Sequence, residues 1–221
     1  MQKNVLTFFF NKDTQLDTPS KIIVAALEEF GQSPPKAVRT RDIAARAGVN
    51  LAAINYYFKG KEELYLELIN QIVGFLDFAE KDLLDEFEIL QKKPSKPDAI
   101  KLIKKALMMR CKYATTDIFK NIISIIVREE LFNTDAFEIL YTRLFEPRYN
   151  MLARLVEMAS QGKCKGARAK ILSKMIFGQI DPFAAATDGM KRSLGWDTFG
   201  DNEYLQVSKE VDIIIDKMFE Q

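Results

Sequence analysis

Apolar residues recur every three or four positions along most of the chain, which is the spacing of one face of an α-helix. The first such run carries Ile23, Ala26, Leu27 and Phe30. Thr18-Pro19 favours a helix start before this run, because a hydroxyl can accept from unpaired N–H groups and proline suits the first helical position. Gly31 favours a helix end. The pattern predicts a first helix over about 20–30.

The same spacing continues to the C-terminus. A long amphipathic helix is predicted from Lys61 through Leu83, followed by a loop at 92–98. Further helical patterns cover 98–114, 117–131, 135–161, 168–194 and 203–219. Pro182 lies inside one of these patterns and predicts a kink there, since proline removes a backbone hydrogen bond. With no alternating strand pattern, the chain is predicted to be all-α, with about nine helices.

The segment from Thr40 to Lys61, here called the helix-turn-helix segment, predicts two short helices joined by a tight turn. Thr40 can cap the first helix, and Gly48 ends it because glycine takes a positive φ without steric cost. Asn50 can then cap the second helix, LAAINYYF. A short helix, a glycine turn and a second short helix form the pattern by which many proteins read the major groove of DNA.

The second helix has two different sides. Ile54 and Phe58 are four residues apart and suit a core, whereas two other such pairs face outward: Leu51 with Asn55, and Ala52 with Tyr56. An asparagine can make a bidentate contact to adenine, and alkyl groups can contact a thymine methyl. Asn55 is therefore the best base-reading candidate. The alternative is that Asn55 is solvent-exposed without a base contact.

Charge is concentrated in this region although the whole chain is nearly neutral, with 32 basic and 31 acidic residues. Between positions 36 and 61 Asp42 is the only acidic residue. The basic residues of that range are Lys36, Arg39, Arg41, Arg46, Lys59 and Lys61. The local net charge of +5 predicts phosphate binding.

The run TRDIAARAGVNLAAINYYFKGKEELYLELI resembles the helix-turn-helix region of the TetR family of transcriptional regulators, and the likeness extends over Thr18–Leu64. The resemblance implies that Thr40, Asn50, Tyr57 and Lys61 hold phosphates. It also implies that Leu51, Ala52, Asn55 and Tyr56 face base edges. Many members of the family have Tyr at the position of Asn55, so an operator sequence does not transfer to this chain from better-known relatives.

The form AAINYYF is similar to the CecR-like branch of that family, and two later segments, REELFNTDAFEILYTRLFEPRYNML and IFGQIDPFAAATDGMKRSLGW, resemble its C-terminal domain. This implies an N-terminal arm (1–17), a three-helix DNA-binding domain (18–62) and a C-terminal bundle of about six helices (63–221) for ligand sensing and dimerisation. The resemblance places helix 168–194 at the subunit interface. We expect it to form a four-helix bundle with helix 147–161 and their symmetry mates.

Composition argues against an enzyme. The chain has no histidine, its two cysteines, Cys111 and Cys164, are far apart, and it has no glycine-rich phosphate loop. We therefore expect no catalytic residue, no metal and no cofactor. The apolar stretch Val5–Phe10 is too short for a signal-peptide core or a membrane span, so a cytoplasmic protein with reduced thiols is expected.

The C-terminal residues leave several alternatives open. One set could line a pocket or simply pack in the core: Met108, Met109, Cys111, Tyr113, Phe119 and Ile122. A charged set could anchor a ligand or be solvated: Arg110, Arg128, Glu129 and Glu130. Gln179 and Asp181, beside Pro182, could mark a pocket or specify the register between subunits.

The sequence is thus interpreted as a regulator that binds a palindromic operator of double-stranded DNA as a homodimer and is released by a small-molecule effector. The resemblance to the family implies a repressor. The alternative is a helical small-molecule-binding or adaptor protein with a vestigial helix-turn-helix. Neither interpretation involves a membrane.

Overall fold

The computed structural model describes residues 5–6, 15–113, 117–132, 134–185 and 187–220, and within these ranges the chain is helical without a strand. The predicted all-α fold is confirmed. The chain divides into two compact units, unit 1 (Met1–Ala79 with Asp117–Leu144) and unit 2 (Glu80–Thr116 with Phe145–Gln221). Across the described residues, none of the helices combines the length and apolar character that a membrane crossing requires.

Unit 1 holds the helix-turn-helix segment. Its helices are α1 (Thr18–Gln32), α2 (Thr40–Ala47), α3 (Leu51–Phe58), α4 (Lys61–Ala79), α7 (Asp117–Phe132) and α8 (Asp135–Leu140). Helix α1 packs on α2, α4 and α7, and α3 packs on α1, α2 and α4. Leu6 is fully buried, and the neighbouring Val5 N–H donates to Gln71 Oε1 on α4 at 2.9 Å.

The ends of α1 differ from those predicted. Asp17 caps the helix by accepting from the Ser20 N–H at 3.0 Å, so Thr18 is the first helical residue and not the cap. The hydrogen bonds from Ser20, side chain first and backbone second, lower the pKa of the Asp17 carboxyl. Gly31 does not end the helix, which continues to Gln32. A Cβ at Gly31 would lie 2.5 Å from Asn121 Cβ, so glycine is required there by the close approach of α7.

Unit 2 contains the remaining helices. They are α5 (Lys81–Lys92), α6 (Lys96–Tyr113), α9 (Glu146–Ala159), α10 (Ala167–Gly178), α11 (Asp181–Ala184), α12 (Asp188–Leu194) and α13 (Asp201–Phe219). Helix α6 packs on α5, α9, α11 and α13, and α9 also packs on α10. The core of this unit is apolar, and α9 contributes seven buried residues to it. The domain boundary predicted after residue 62 does not coincide with the boundaries of these two compact units. It describes a functional division and stays a prediction.

Three predicted helices are interrupted. The helix predicted from Lys61 to Leu83 ends at Ala79, because Glu80 leaves the helical conformation (φ −97°, ψ 6°) and its carboxylate pairs with Arg148 at 2.6 Å. The pattern over 135–161 contains a π-helical turn at Tyr141–Phe145. The pattern over 168–194 is divided into α10, α11 and α12. Pro182 does not kink one helix but lies in the first turn of α11, where its missing N–H needs no partner.

Candidate nucleic-acid interface

The turn and caps around α3 follow from local sequence. Gly48 has φ 67° and ends α2, and the Val49 N–H donates to Ala44 O at 3.0 Å. The Asn50 side chain accepts from the Ala53 N–H at 2.9 Å, which confirms the predicted N-cap. At the other end Lys59 takes a left-handed conformation (φ 61°) and donates its N–H to Asn55 O at 3.0 Å. Both ends of this eight-residue helix are thus capped.

Helix α3 is buried on one side only. Ile54 is fully buried and Phe58 is partly buried, as predicted from their spacing. Leu51 is 49% exposed and Tyr56 81% exposed, and Ala52 and Asn55 are also exposed. The side that the sequence assigns to DNA is therefore accessible, although the DNA contacts themselves stay a prediction.

The three aromatic residues of α3 contact one another in sequence order. Tyr56 contacts Tyr57 edge to face, with ring centroids 4.9 Å apart. The ring centroids of Tyr57 and Phe58 are 6.5 Å apart. An edge-to-face pair limits the rotamers available to both rings. Tyr57 is 45% exposed, which is compatible with the role implied for it.

Acidic partners reduce the positive charge predicted for this region. Arg46 pairs with Glu28 at 2.7 Å and with Glu29 at 2.6 Å, both on α1. The hydrogen bond with Glu29 is the main cause of a raised pKa of the Arg46 guanidinium. These two carboxylates lie outside the range counted from the sequence and lower the local excess from five to three. The sequence pattern does not reveal these two partners, because they precede Arg46 by 17 and 18 residues.

The first turn of α2 also differs from the prediction. Thr40 is the first helical residue, and Arg39 occupies the N-cap position without a side-chain hydrogen bond to the backbone N–H groups of the first turn. The predicted cap at Thr40 is therefore wrong. Arg39 instead pairs with Asp42 at 2.7 Å, and Arg41 lies 3.8 Å from the same carboxylate. Among the described residues, Lys36 and Lys59 are exposed cations of this region that make no ion pair.

Lys61 has a structural contact that the sequence did not reveal. Its Nζ donates to Pro35 O at 2.9 Å and to Val38 O at 3.2 Å. These carbonyl groups belong to the loop between α1 and α2. An ammonium group has three donors, so one remains for a phosphate. Lys61 thus stabilises the loop before α2 whether or not it contacts DNA.

The residues considered for a ligand pocket lie in different units. Met108 and Cys111 are buried in the core of unit 2, with Met109 packed against it, whereas Phe119 and Ile122 are buried in unit 1. The side chain of Tyr113 lies outside the described residues. Burial raises the pKa of the Cys111 thiol to about 12, so this thiol is protonated at neutral pH.

Three of the charged residues considered as ligand anchors have partners within their own unit. Arg110 pairs with Asp181 within unit 2, and Arg128 and Glu129 contact α1 and α4 within unit 1. In the described part of the chain, no group of three or more Cys, Asp or Glu side chains has the arrangement of a metal site.

Comparison with known proteins links both parts of the chain to one class of regulator. Residues 22–68 match the profile of the bacterial regulatory proteins of the tetR family, and residues 100–220 match the C-terminal domain of the HTH-type transcriptional dual regulator CecR. The curated CecR protein of Shigella flexneri is 30% identical over 198 residues, which cover 89% of this chain and 88% of that protein.

Solved structures share the fold. A transcriptional regulator from Aquifex aeolicus superposes with a TM-score of 0.53 at 19% identity, over 92% of this chain and all of that chain. The regulator FadR from Bacillus subtilis, crystallised with stearoyl-CoA, superposes with a TM-score of 0.59 at 21% identity, over 88% of this chain and 96% of that chain.

Proposed function

The chain belongs to the TetR family of transcriptional regulators, with a C-terminal domain of the CecR type, and from this premise we propose that it is a ligand-released repressor that binds a palindromic DNA operator as a homodimer. The observation that carries the proposal is the exposed side of α3, where Leu51, Asn55 and Tyr56 are accessible beside the cations of the helix-turn-helix segment. A surface of this kind has polar and alkyl groups for base edges and positive charge for phosphates.

Asn55 is the proposed base-reading residue. Its backbone carbonyl accepts from Lys59, and its exposed side-chain amide has no hydrogen bond within the described residues, so the amide is available to adenine. The remaining proposed contacts are to base edges from Leu51, Ala52 and Tyr56. Phosphate contacts are proposed for Thr40, Arg41, Asn50, Tyr57 and Lys61.

The test is a selection of duplexes from a genomic or random library, followed by affinity measurements on the selected duplex and on a random one. Asn55→Ala should weaken binding to the selected duplex by about 1–3 kcal/mol and leave binding to the random duplex nearly unchanged. Asn150→Ala on α9 is the matched control, because Asn150 is also an exposed helical asparagine. Equal losses on both duplexes for Asn55→Ala would contradict the assignment.

Dimerisation is proposed through α10. This helix buries Ala169, Ile176 and Phe177 in its own unit, while Ile171 and Met175 on the opposite side are 61% and 63% exposed. An exposed apolar stripe on a helix favours burial against a second copy. Helix α9, the other helix predicted at the interface, already buries its apolar residues within unit 2 and offers no comparable stripe. Ile171→Asp should shift the protein from dimer to monomer in sedimentation velocity, whereas a monomeric unmodified protein at micromolar concentration would exclude this proposal.

Unit 2 is proposed to bind the small-molecule effector. The support is the likeness in fold to FadR from Bacillus subtilis, whose structure contains stearoyl-CoA. An effector lowers DNA affinity only to the extent that it binds the DNA-free conformation more tightly. A panel of small metabolites that includes stearoyl-CoA should contain a compound that raises the melting temperature and releases the selected duplex. A compound that raises the melting temperature without any release would point instead to the adaptor alternative.

A further inference from the structure

One side chain of helix α7, that of Arg128, donates hydrogen bonds to the C-terminal end of α1. Arg128 Nη1 donates to Phe30 O at 2.7 Å and to Ser33 O at 3.1 Å, and Nη2 lies 3.4 Å from Gly31 O. The last turn of α1 has no basic residue of its own. Carbonyl groups at a helix C-terminus are unpaired and carry partial negative charge. Arg128 therefore supplies both the donors and the cation that this end of α1 lacks.

The next residue of α7 makes a second connection. Glu129 is only 2% exposed, and its carboxylate accepts from Tyr65 Oη on α4 at 2.6 Å and from the Thr134 hydroxyl before α8. Burial, followed by the interaction with Glu129, raises the pKa of the Tyr65 hydroxyl far above its usual value, so it remains a donor. A buried carboxylate with charge-assisted hydrogen bonds is tightly placed, because the loss of one donor is costly.

The two connections are joined by packing. The rings of Phe30 and Tyr65 contact edge to face with centroids 4.7 Å apart, and both residues are buried. Asn121, two turns before Arg128 on α7, closely approaches Gly31. Helices α1, α4 and α7 thus meet in one contact region.

Arg128 also acts on the loop that leads into α2. It binds the carbonyl of Ser33 at the start of this loop, while Lys61 binds the carbonyls of Pro35 and Val38 farther along it. The loop is therefore held by two cations. Helix α2 begins two residues after Val38, and α3 packs on α1, α2 and α4.

We propose that Arg128 is a positioning residue for DNA recognition, which fixes the end of α1 and the start of α2 and so orients α3. This inference rests on the proposed function and deepens it. Arg128 contacts no base or phosphate in this scheme. Its loss should leave the cations for phosphates in place but disturb the alignment that base reading requires, and base contacts depend on geometry more strongly than phosphate contacts do.

The test compares Arg128→Gln, Arg128→Lys and the control Arg148→Gln. Arg148 is a partly buried arginine that pairs with Glu80 in unit 2, so its substitution has a similar chemical cost in the other unit. Arg128→Gln should weaken binding to the selected duplex about tenfold, the equivalent of about 1.4 kcal/mol, and binding to a random duplex by no more than about twofold, since nonspecific binding depends on phosphate contacts. Arg128→Lys keeps the charge without the fork geometry and should restore part of the loss. Arg148→Gln should leave the ratio of the two affinities unchanged.

Hydrogen exchange measured without DNA provides a readout that does not depend on the proposed function. In Arg128→Gln the amides of the α1 C-terminal turn, α2 and α3 should exchange faster than in the unmodified protein, while α9 and α13 should not change. If the unmodified protein prefers no duplex, the proposed function fails, and the exchange pattern still decides whether Arg128 positions α2 and α3. Unchanged exchange in these helices, or equal losses on both duplexes that follow the melting temperature, would overturn the inference.

Discussion

The ion pairs of Arg46 make the strength of DNA binding testable through charge. Substituting Glu28→Gln together with Glu29→Gln removes both carboxylates that hold this guanidinium at 2.7 and 2.6 Å. The fold should persist, because exposed ion pairs contribute only about 0–1 kcal/mol each. The released Arg46 is then available to a phosphate. We expect tighter binding to every duplex and a steeper dependence on salt.

The magnitude follows from counterion release. Each phosphate contact contributes about 0.9 to the slope of log affinity against log salt concentration, so one added contact per protomer steepens that slope by about 0.9. Between 50 and 200 mM salt this corresponds to an additional loss of about 3.5-fold per protomer. Fluorescence anisotropy of a labelled random duplex at several salt concentrations measures the slope directly.

The control removes two carboxylates from unit 2, Glu86→Gln with Asp212→Asn, which pair with Lys105 and Lys104. It produces the same change in net charge without releasing Arg46. An identical slope in the Glu28→Gln/Glu29→Gln variant and in the unmodified protein would refute the release of a phosphate-binding group. An equal increase in the control would show that net charge alone is responsible.

Three further predictions concern stability. Cys111→Ala should make the free energy of unfolding less dependent on pH. Burial raises the pKa of this thiol from 9.0 to about 12 in the folded protein, so its contribution to stability is present below pH 9 and is lost as the pH rises towards 12. At pH 10.5 the lost stability amounts to about 2 kcal/mol. If urea unfolding gave the same change in unfolding free energy between pH 8 and pH 10.5 for the variant and the parent, the prediction would be contradicted. Leu6→Ala should cost about 2–5 kcal/mol, since Leu6 is fully buried, and a loss below about 0.5 kcal/mol in urea unfolding would show that the arm contributes little. Asn50→Ala should cost about 1 kcal/mol through the lost bond to the Ala53 N–H, and an unchanged melting temperature would argue against the cap.

Local chemistry explains why the turn before α3 could be predicted. Gly48 and Asn50 act on groups within four residues of themselves, so their residue types are sufficient to indicate a helix end and a helix start. The offset at α1 has a similar origin. Asp17, next to Thr18, provides a carboxylate that accepts from Ser20 and takes the cap position in place of the hydroxyl.

Distant partners explain what the sequence did not reveal. The sequence predicts that Arg46 and Lys61 are cations for DNA. In the structure Arg46 pairs with Glu28 and Glu29, and Lys61 donates to carbonyls of the α1–α2 loop. These partners lie 17 to 26 residues earlier in the chain. Arg128 and Phe30 are 98 residues apart. Periodicity indicates which side of a helix is buried, but it does not indicate which helix lies against that side.

The short helices of unit 1 show why such distant contacts are needed. An isolated helix of eight residues is unstable in water, and α3 exposes the side that would read DNA, so that side adds no packing energy. The stability of α3 must therefore come from its caps, from Ile54 and from the helices beneath it. Because these contributions do not involve the side chain of Asn55, this residue can be replaced at a cost within about 0.5 kcal/mol of unfolding free energy. The exposed side of α3 can thus change its DNA preference while the fold that presents it stays the same.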